Sequence, residues 1–203
     1  MTDKHDKNVL FFPGEIGERA LRARLVAGED AAYRECYQQY ASRLMRLLTG
    51  ILRNKARAEE VLQETFVAAF RSVNGFRGDV SLSTWLARIA TNRAYNTIRD
   101  DARAKRTAPP PGDEPTSRFE PHVEGRDLAR KVLAILDRMD PPKKLALLLQ
   151  AEGYTVAEIA EVSGEPRGTI LARLSRSRAE LSLRMIEAGL VVEAIPTSVE
   201  ERT

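Results

Sequence analysis

The spacing of apolar residues is the feature that most limits what this chain can fold into. Apolar residues three and four positions apart recur along most of the 203 residues, whereas no long stretch alternates between apolar and polar residues. The first pattern places apolar side chains along one side of an α-helix, and the second is the pattern of a β-strand. The sequence therefore predicts an all-α protein.

Three helices are predicted before residue 107. The first begins at Asp30, the second runs from about residue 56 to residue 72, and the third is capped by Ser81 or Ser83 and continues to about residue 103. The apolar stripe expected on the first is Tyr33, Cys36, Tyr37, Tyr40, Leu44, Leu47, Leu48 and Ile51. The inward side expected on the second is Val61, Leu62, Thr65, Phe66, Ala69 and Phe70.

A proline-rich segment then divides the chain. Residues 107–124, TAPPPGDEPTSRFEPHVE, hold five of the ten prolines and almost no periodic apolar residues, which is typical of a linker. The predicted architecture is therefore two small helical domains joined by a flexible linker. Its parts are an N-terminal extension with a first helix at 1–29, a domain at 30–106, the linker at 107–126, a second domain at 127–186 and a tail at 187–203.

The second domain contains a candidate helix-turn-helix at residues 155–174, TVAEIAEVSGEPRGTILARL. Thr155 and Glu158 can form a capping box, Gly164 allows a tight turn, and Pro166 suits the start of the next helix. Residues 166–184 hold five arginines against one acidic residue. Such a helix can lie in the major groove of DNA; the alternative is a helical pair whose arginines are only solvated. The groove-facing candidates are Arg167, Thr169, Arg173 and Arg176.

The third helix, SLSTWLARIATNRAYNTIRDDARAKR at residues 81–106, carries the only tryptophan of the chain. At about 100° per residue, one narrow face collects Arg88, Asn92, Asn96, Arg99 and Arg103, with Trp85 in the same arc. Amides can hydrogen-bond base edges and guanidiniums bind phosphates, so the face suits nucleic acid. The alternative is an amphipathic surface helix in which Trp85 serves packing.

Composition excludes several classes of protein. No run approaches the roughly 20 apolar residues of a membrane span, and the amino terminus lacks a secretory signal, so we expect a cytoplasmic protein without membrane insertion. Cys36 is the only cysteine, so neither an intrachain disulfide nor a thiolate zinc site can form. His5 and His122 lie outside the predicted helices, and no nucleophile, base and orienting group converge. We therefore predict no catalytic residue, metal or cofactor.

The order of these motifs resembles bacterial sigma factors of the small, two-domain, extracytoplasmic-function (ECF) type in the sigma-70 family. The resemblance is carried by AEEVLQETFVAAFRSVNGFRGDVSLSTWLARIATNRAYNTIRDDARAKR, then the proline-rich segment, then GYTVAEIAEVSGEPRGTILARLSRSRAEL. It covers residues 30–106 and 127–184. Ser163, Glu165 and Leu171 depart from the usual pattern of the family, so no upstream promoter sequence is predicted.

The resemblance implies a subunit that binds core RNA polymerase and directs it to promoters. The residues implied to contact the coiled-coil clamp of the largest polymerase subunit are Glu60, Gln63 and Glu64. Those implied to read the minus-ten element as a separated strand are Arg88, Asn92, Asn96 and Arg99, with residues 76–81 forming a pocket for an extruded base. The resemblance also implies that the helix-turn-helix contacts the minus-thirty-five duplex through Arg167, Thr169, Arg173 and Arg176.

Alternative functions differ in what they require of the chain. A stand-alone helix-turn-helix regulator would make no use of Gln63 and Glu64 and would normally dimerise to read paired half-sites. A sigma-like adaptor that binds only protein would not need the two arginine-bearing faces. Whether an anti-sigma protein binds the chain is left open by the sequence.

Overall fold

A computed structural model of the chain describes residues 15–107 and 124–190. Within these two ranges the secondary structure is helical, with eight α-helices, one short 3-10 turn at Val73–Gly75 and no β-strand. The helices are α1 (Glu15–Val26), α2 (Asp30–Leu52), α3 (Lys55–Ser72), α4 (Leu82–Thr107), α5 (Glu124–Leu136), α6 (Pro141–Ala151), α7 (Val156–Ser163) and α8 (Arg167–Glu187). The all-α prediction is confirmed.

The first domain is built on α2, α3 and α4, which pack against one another, and α1 packs against α2 and the 3-10 turn. Most of the apolar stripe predicted on α2 is buried, including Leu44, Leu47 and Leu48 at 1% exposure or less. Tyr37 is the exception, because its side chain stays 45% exposed while its ring rests on Phe66, with ring centroids 4.8 Å apart. The prediction that Tyr37 belongs to the core was therefore wrong.

Side-chain caps explain where α3 and α4 begin. The Asn54 side chain accepts a hydrogen bond from the backbone N–H of Arg57 at 3.1 Å, which satisfies one of the orphan donors of α3. The Ser81 hydroxyl accepts from the N–H of Thr84 at 3.1 Å and so caps α4. Ser83, the other candidate cap, is buried and donates to the Tyr154 hydroxyl instead.

The second domain is formed by α5 to α8. Five consecutive residues of α6, 145–149, are buried, because this helix lies between the first domain and α8. The capping box of Thr155 and Glu158 is present at the start of α7, and Gly164 ends that helix with a φ of 67°. A left-handed backbone of this kind suits glycine, so the predicted helix-turn-helix is confirmed in its local geometry.

The two domains also contact each other, through α2 against α6 and α4 against α7. Arg43 of α2 is 7% exposed and donates to the carbonyl of Glu152 and to the hydroxyl of Ser83, both at 2.8 Å. Arg46 pairs with the Glu152 carboxylate at 2.8 Å. A Cβ at Gly50 would lie 2.8 Å from Leu148, so glycine allows the close approach of α2 and α6. Linked domains were predicted from the sequence, but their contact was not.

Several predictions concern residues outside the described ranges. They are the N-terminal extension up to residue 14, with His5, most of the linker at 108–123, with His122, and the tail from residue 191. The domain limits drawn from the sequence therefore stay predictions.

Candidate nucleic-acid interface

The exposed side of α4 presents the five residues grouped by the helical-wheel argument. Leu82, Leu86 and Ala90 are buried on the opposite side, and their burial fixes the rotation of the helix. The α4 face, as we call it, consists of Arg88, Asn92, Asn96, Arg99 and Arg103, all of which are exposed. Within it the Arg99 guanidinium donates a hydrogen bond to the Asn96 side-chain oxygen. The structure thus brings amide and guanidinium groups together on one helix surface.

Trp85, in the same arc of α4 as these five residues, is partly buried. Its ring stacks on Phe76, with centroids 4.6 Å apart and planes 19° apart. The guanidinium of Arg22 from α1 lies over the Phe76 ring, 5.3 Å from the ring centroid. Gly78 has a φ of 83°, a left-handed backbone that suits glycine, at the point where the loop at 76–81 meets Arg22 of α1. The stack gives Trp85 the packing role that sequence reasoning had left open.

A second exposed surface lies on α3. The α3 acidic face consists of Glu60, Gln63 and Glu64, and all three side chains are exposed. Glu60 pairs with Arg57 at 3.0 Å, and Glu64 pairs with Arg93 of α4 at 2.9 Å. These exposed ion pairs contribute little to stability, but they hold the carboxylates in defined positions.

Two apolar side chains adjoin the α3 acidic face and were missed as site residues. Val67 is 49% exposed, one turn after Gln63 and Glu64, and Tyr37 packs nearby against Phe66 with 45% of its own surface exposed. An apolar centre with a polar rim is the usual anatomy of a protein-binding surface. Periodicity alone could not find Tyr37, since its position belongs to the buried stripe of α2.

The exposed side of α8 carries three of the four predicted duplex contacts. The α8 face consists of Arg167, Thr169 and Arg176. Arg176 donates through Nε to the backbone carbonyl of Ala172 at 3.2 Å, which leaves the rest of its guanidinium available to a ligand. The buried residues Ile170 and Leu174 hold the opposite side of the helix on the domain core.

Arg173, the fourth predicted duplex contact, has a different environment. Its two terminal nitrogens donate to the two carboxylate oxygens of Glu165 at 2.6 and 2.5 Å, and its side chain is only 17% exposed. Hydrogen bonding by Arg173 lowers the pKa of Glu165 below its ordinary value. Glu165, which departs from the usual pattern of the turn, is therefore the partner of a recognition-helix arginine. Glu165 and Arg173 are eight positions apart, on either side of the start of α8, and no periodic pattern in the sequence predicts that they pair.

Asn92 and Arg173 meet at a cleft between the domains. The cleft has a volume of about 330 Å³, and its walls also include Glu165 and Pro141. Tyr95 closes one side by donating a hydrogen bond to the Pro141 carbonyl at 3.2 Å. The α4 face and α8 are thus neighbours here, although Arg88, Arg167 and Arg176 do not line this cleft.

The described ranges contain neither a membrane-spanning helix nor a candidate metal cluster. None of the helices there is sufficiently long and apolar to span a bilayer. In the same ranges, no three His, Cys, Asp or Glu side chains are grouped so that they could hold a metal ion.

Comparison with protein families gives two matches, in chain order. Residues 36–104 match the model of sigma-70 region 2, and residues 129–181 match a model of sigma-70 region 4. The first match contains the α3 acidic face and the α4 face, and the second contains the helix-turn-helix.

Individual relatives agree with these matches. The chain is 30% identical over 169 residues to the ECF RNA polymerase sigma factor SigM of Mycobacterium tuberculosis, covering 83% of this chain and 84% of that protein. It is 29% identical to the ECF RNA polymerase sigma-E factor of Haemophilus influenzae, covering 81% of this chain and 93% of that protein.

Among solved structures, CnrH in complex with the cytosolic domain of CnrY superposes with a TM-score of 0.66 at 23% identity, over 84% of this chain and 97% of the other. RpoE of Bartonella quintana, solved with the anti-sigma factor NepR, has a TM-score of 0.54 at 18% identity, over 84% and 95%.

Proposed function

This chain belongs to the ECF group of the sigma-70 family, and from that premise we propose how its surfaces bind core RNA polymerase and promoter DNA. As a sigma factor it directs transcription initiation by RNA polymerase, and it is a regulatory protein. The observation that carries this function is the ordered pair of family matches at 36–104 and 129–181. Because it acts with polymerase, we place its activity in the cytoplasm.

The polymerase-binding surface is assigned to the α3 acidic face together with Tyr37 and Val67. Two apolar side chains that are 45% and 49% exposed would lose most of their water contact against a partner, which supplies affinity. The carboxylates of Glu60 and Glu64 form a charged rim that selects a basic partner and sets its orientation. The partner assigned to this surface is the coiled-coil clamp of the largest polymerase subunit.

The α4 face is assigned to the minus-ten element in its strand-separated form. Asn92 and Asn96 each offer an amide that can donate and accept, so they can read an unpaired base edge. Arg88 and Arg99 provide cations for the phosphates of the same strand. The loop at 76–81, braced by the stack of Arg22, Phe76 and Trp85, borders the site for an extruded base.

The α8 face is assigned to the duplex of the minus-thirty-five element. Its first residues, Arg167 and Thr169, reach base edges when the start of a recognition helix enters the major groove, while Arg176 lies further along for a phosphate. Arg173 contributes only after its ion pair with Glu165 opens. This pairing divides the four predicted duplex contacts into three that are exposed and one that is held back.

DNA binding by both domains requires the contact between them to open. Asn92 lies in the narrow cleft beside Glu165 and Arg173, where a nucleic-acid strand would meet a carboxylate and the walls of the second domain. Once the domains separate, the linker keeps both near one promoter, and the first contact raises the effective concentration of the second.

An anti-sigma protein is a further partner that we propose. The support is that RpoE of Bartonella quintana, which shares the fold, is described in complex with the anti-sigma factor NepR. A protein that bound the closed arrangement of the two domains would hold Asn92 in its cleft.

Run-off transcription with purified core RNA polymerase tests the proposed function. The template is a fragment carrying the promoter of the gene for this chain, transcribed with and without the protein. A transcript that depends on the protein supports the proposal. No transcript, together with failure to co-elute with core polymerase, would contradict it and favour a stand-alone regulator.

A further inference from the structure

An exposed leucine stands on the recognition helix. Leu171 of α8 is 56% exposed, although it lies next to the buried Ile170. The residues nearest to it on the outer side of the helix are Gly168, Ala172 and Ser175, all exposed and all short. Leu171 therefore projects beyond these three short residues, near the start of α8. Single exposed apolar residues are common, so its meaning depends on what surrounds it.

Positive charge lies before and after this leucine along α8. Arg167 precedes it by one helical turn on the same side of the helix, and Arg176 follows it by five residues, about 140° further round; both are exposed. No carboxylate in the described ranges forms a salt bridge with either of these two arginines. An anion that also presents an apolar group would therefore suit this part of α8.

The major groove of DNA meets that description. Phosphates line both of its edges, and the 5-methyl of thymine is the one apolar group that a base pair displays there. We propose that Leu171 is a specificity-determining residue that recognises a thymine methyl group in the upstream duplex element. This inference rests on the proposed function, in which α8 lies in the major groove.

Leucine also disfavours the other bases at that position. Its side chain can neither donate nor accept a hydrogen bond, so a cytosine amino group facing it would lose water without a replacement partner. Thymine instead gains the burial of one methyl against another apolar group. Burial of a methyl-sized group corresponds to roughly a fourfold change in affinity, which is the size of effect expected for one contact.

The test uses the full chain assembled with core polymerase. Promoter fragments with a randomised upstream element are selected with the wild-type protein and with Leu171→Ala. We expect wild type to select thymine at one position and the variant to lose that preference. Leu183→Ala is the matched control, because Leu183 is 58% exposed on the same helix but lies more than three turns away.

Replacing thymine by deoxyuridine at the selected position removes only the methyl group. We expect this change to weaken wild-type and Leu183→Ala binding about fourfold and to leave Leu171→Ala binding unchanged. Equal affinity of wild type for both bases at every thymine, or the same methyl dependence in Leu171→Ala, would overturn the inference.

The same samples separate this inference from the proposed function. Failure of the wild-type protein to support run-off transcription would count against the function as a whole. An active wild-type protein whose affinity falls with Arg176→Ala, but which ignores the methyl group, would overturn the role of Leu171 alone. An active protein unaffected by Arg176→Ala would overturn the placement of α8, and the inference with it.

Discussion

The guanidinium carbon of Arg43 lies 3.6 Å from the centre of the Tyr154 ring, so a cation from one domain rests on an aromatic ring from the other. Cation–π contacts are strongest when water is excluded, and both side chains are buried here. Arg43 also bonds to Glu152, whose carboxylate receives Arg46. These directed contacts fix how the two domains meet. The residues that make them are Arg43, Arg46, Glu152 and Tyr154.

We predict that reversing one charge of this contact opens the domains. Glu152→Arg would place a third cation beside Arg43 and Arg46, so the radius of gyration measured by small-angle X-ray scattering should increase. Restoring the pair in the opposite sense, with Arg46→Glu added, should recover the smaller radius. The coupling between the two substitutions is expected to be about 0.5–1 kcal/mol. An unchanged radius in Glu152→Arg would show that the pair of Arg46 and Glu152 does not hold the domains together.

Substitution of the α3 acidic face should weaken binding to polymerase. Gln63→Ala with Glu64→Lys removes one polar contact and reverses a charge, and the pair with Arg93 is lost as well. We expect at least a tenfold loss of affinity for core polymerase, measured by competition or co-elution. Glu35→Lys, an exposed charge reversal on α2, is the control and should bind like wild type. Unchanged affinity in the double variant would refute the assignment.

Tyr37 and Val67 permit a separate test of the apolar part of that surface. Tyr37→Ala should cost more affinity for core polymerase than Val67→Ala, because more apolar area is lost. Neither change should lower helicity by circular dichroism. If both variants bound core polymerase normally, the surface would consist of the α3 acidic face alone.

Loss of the two amides on α4 should affect promoter opening more than duplex binding. Asn92→Ala with Asn96→Ala removes groups that read unpaired base edges but leaves the α8 face intact. Reactivity of thymines near the start site to permanganate should fall, while binding of upstream duplex by the holoenzyme should stay within about twofold. Gln38→Ala, an exposed amide on α2, serves as the control. Equal losses in both assays would show that the division of labour is wrong.

Release of Arg173 from its ion pair should strengthen duplex binding. In Glu165→Gln the guanidinium becomes available to a phosphate, so the slope of log affinity against log salt should steepen by about 1. Glu161→Gln removes the same charge from the exposed side of α7 and controls for net charge. Equal slopes in both variants would show that Arg173 does not reach the DNA.

The same pair makes stability depend on pH. Arg173 holds the pKa of Glu165 below its ordinary value, so the carboxylate stabilises the fold above the unfolded pKa of about 4.3. That contribution is lost as the pH falls through the lower, folded pKa. Glu165→Gln should therefore lower the melting temperature slightly at pH 7 and not at pH 2, the effect being small because the Glu165 side chain is 33% exposed. A constant difference across this range would contradict the ion pair in solution.

Cys36 should be unreactive in the folded protein. Burial, together with the nearby charges of Glu35 and Glu18, raises the pKa of its thiol to about 12. At pH 8 the thiolate fraction should then be roughly 1,000-fold lower than in the unfolded chain, and alkylation by iodoacetamide correspondingly slow. Rapid labelling of the native protein would show that this part of the core opens readily.

Sequence reasoning succeeded where the cause is local. The capping box of Thr155 and Glu158 and the left-handed turn at Gly164 depend on neighbouring residues, so their residue types were sufficient to predict them. The α4 face followed equally well from the geometry of one helix. The exposure of Tyr37 could not be predicted from the geometry of one helix, because it depends on whether another element covers that part of α2.

Relationships between distant residues were beyond prediction from one sequence. The hydrogen bond between Arg43 and the Glu152 carbonyl joins positions 109 residues apart, and no periodic pattern links them. The stack of Trp85 on Phe76 depends on how the loop after α3 folds back, which composition does not determine. Leu171 was visible as a departure from the family pattern, but only its exposure in the folded chain makes it a candidate reader of DNA.

The approach of α2 and α6 at Gly50 has a consequence for how promoters compete. If only a fraction of molecules is open, every promoter affinity is multiplied by that same fraction and so falls by the same factor. Substitutions near Gly50 and Leu148 would then scale transcription from all target promoters together, and their order of strength would not change. A change at Leu171 would reorder the promoters at a constant open fraction. The overall level of transcription and the preference among promoters are thereby set at two separate places in the chain. The two places can vary independently in evolution.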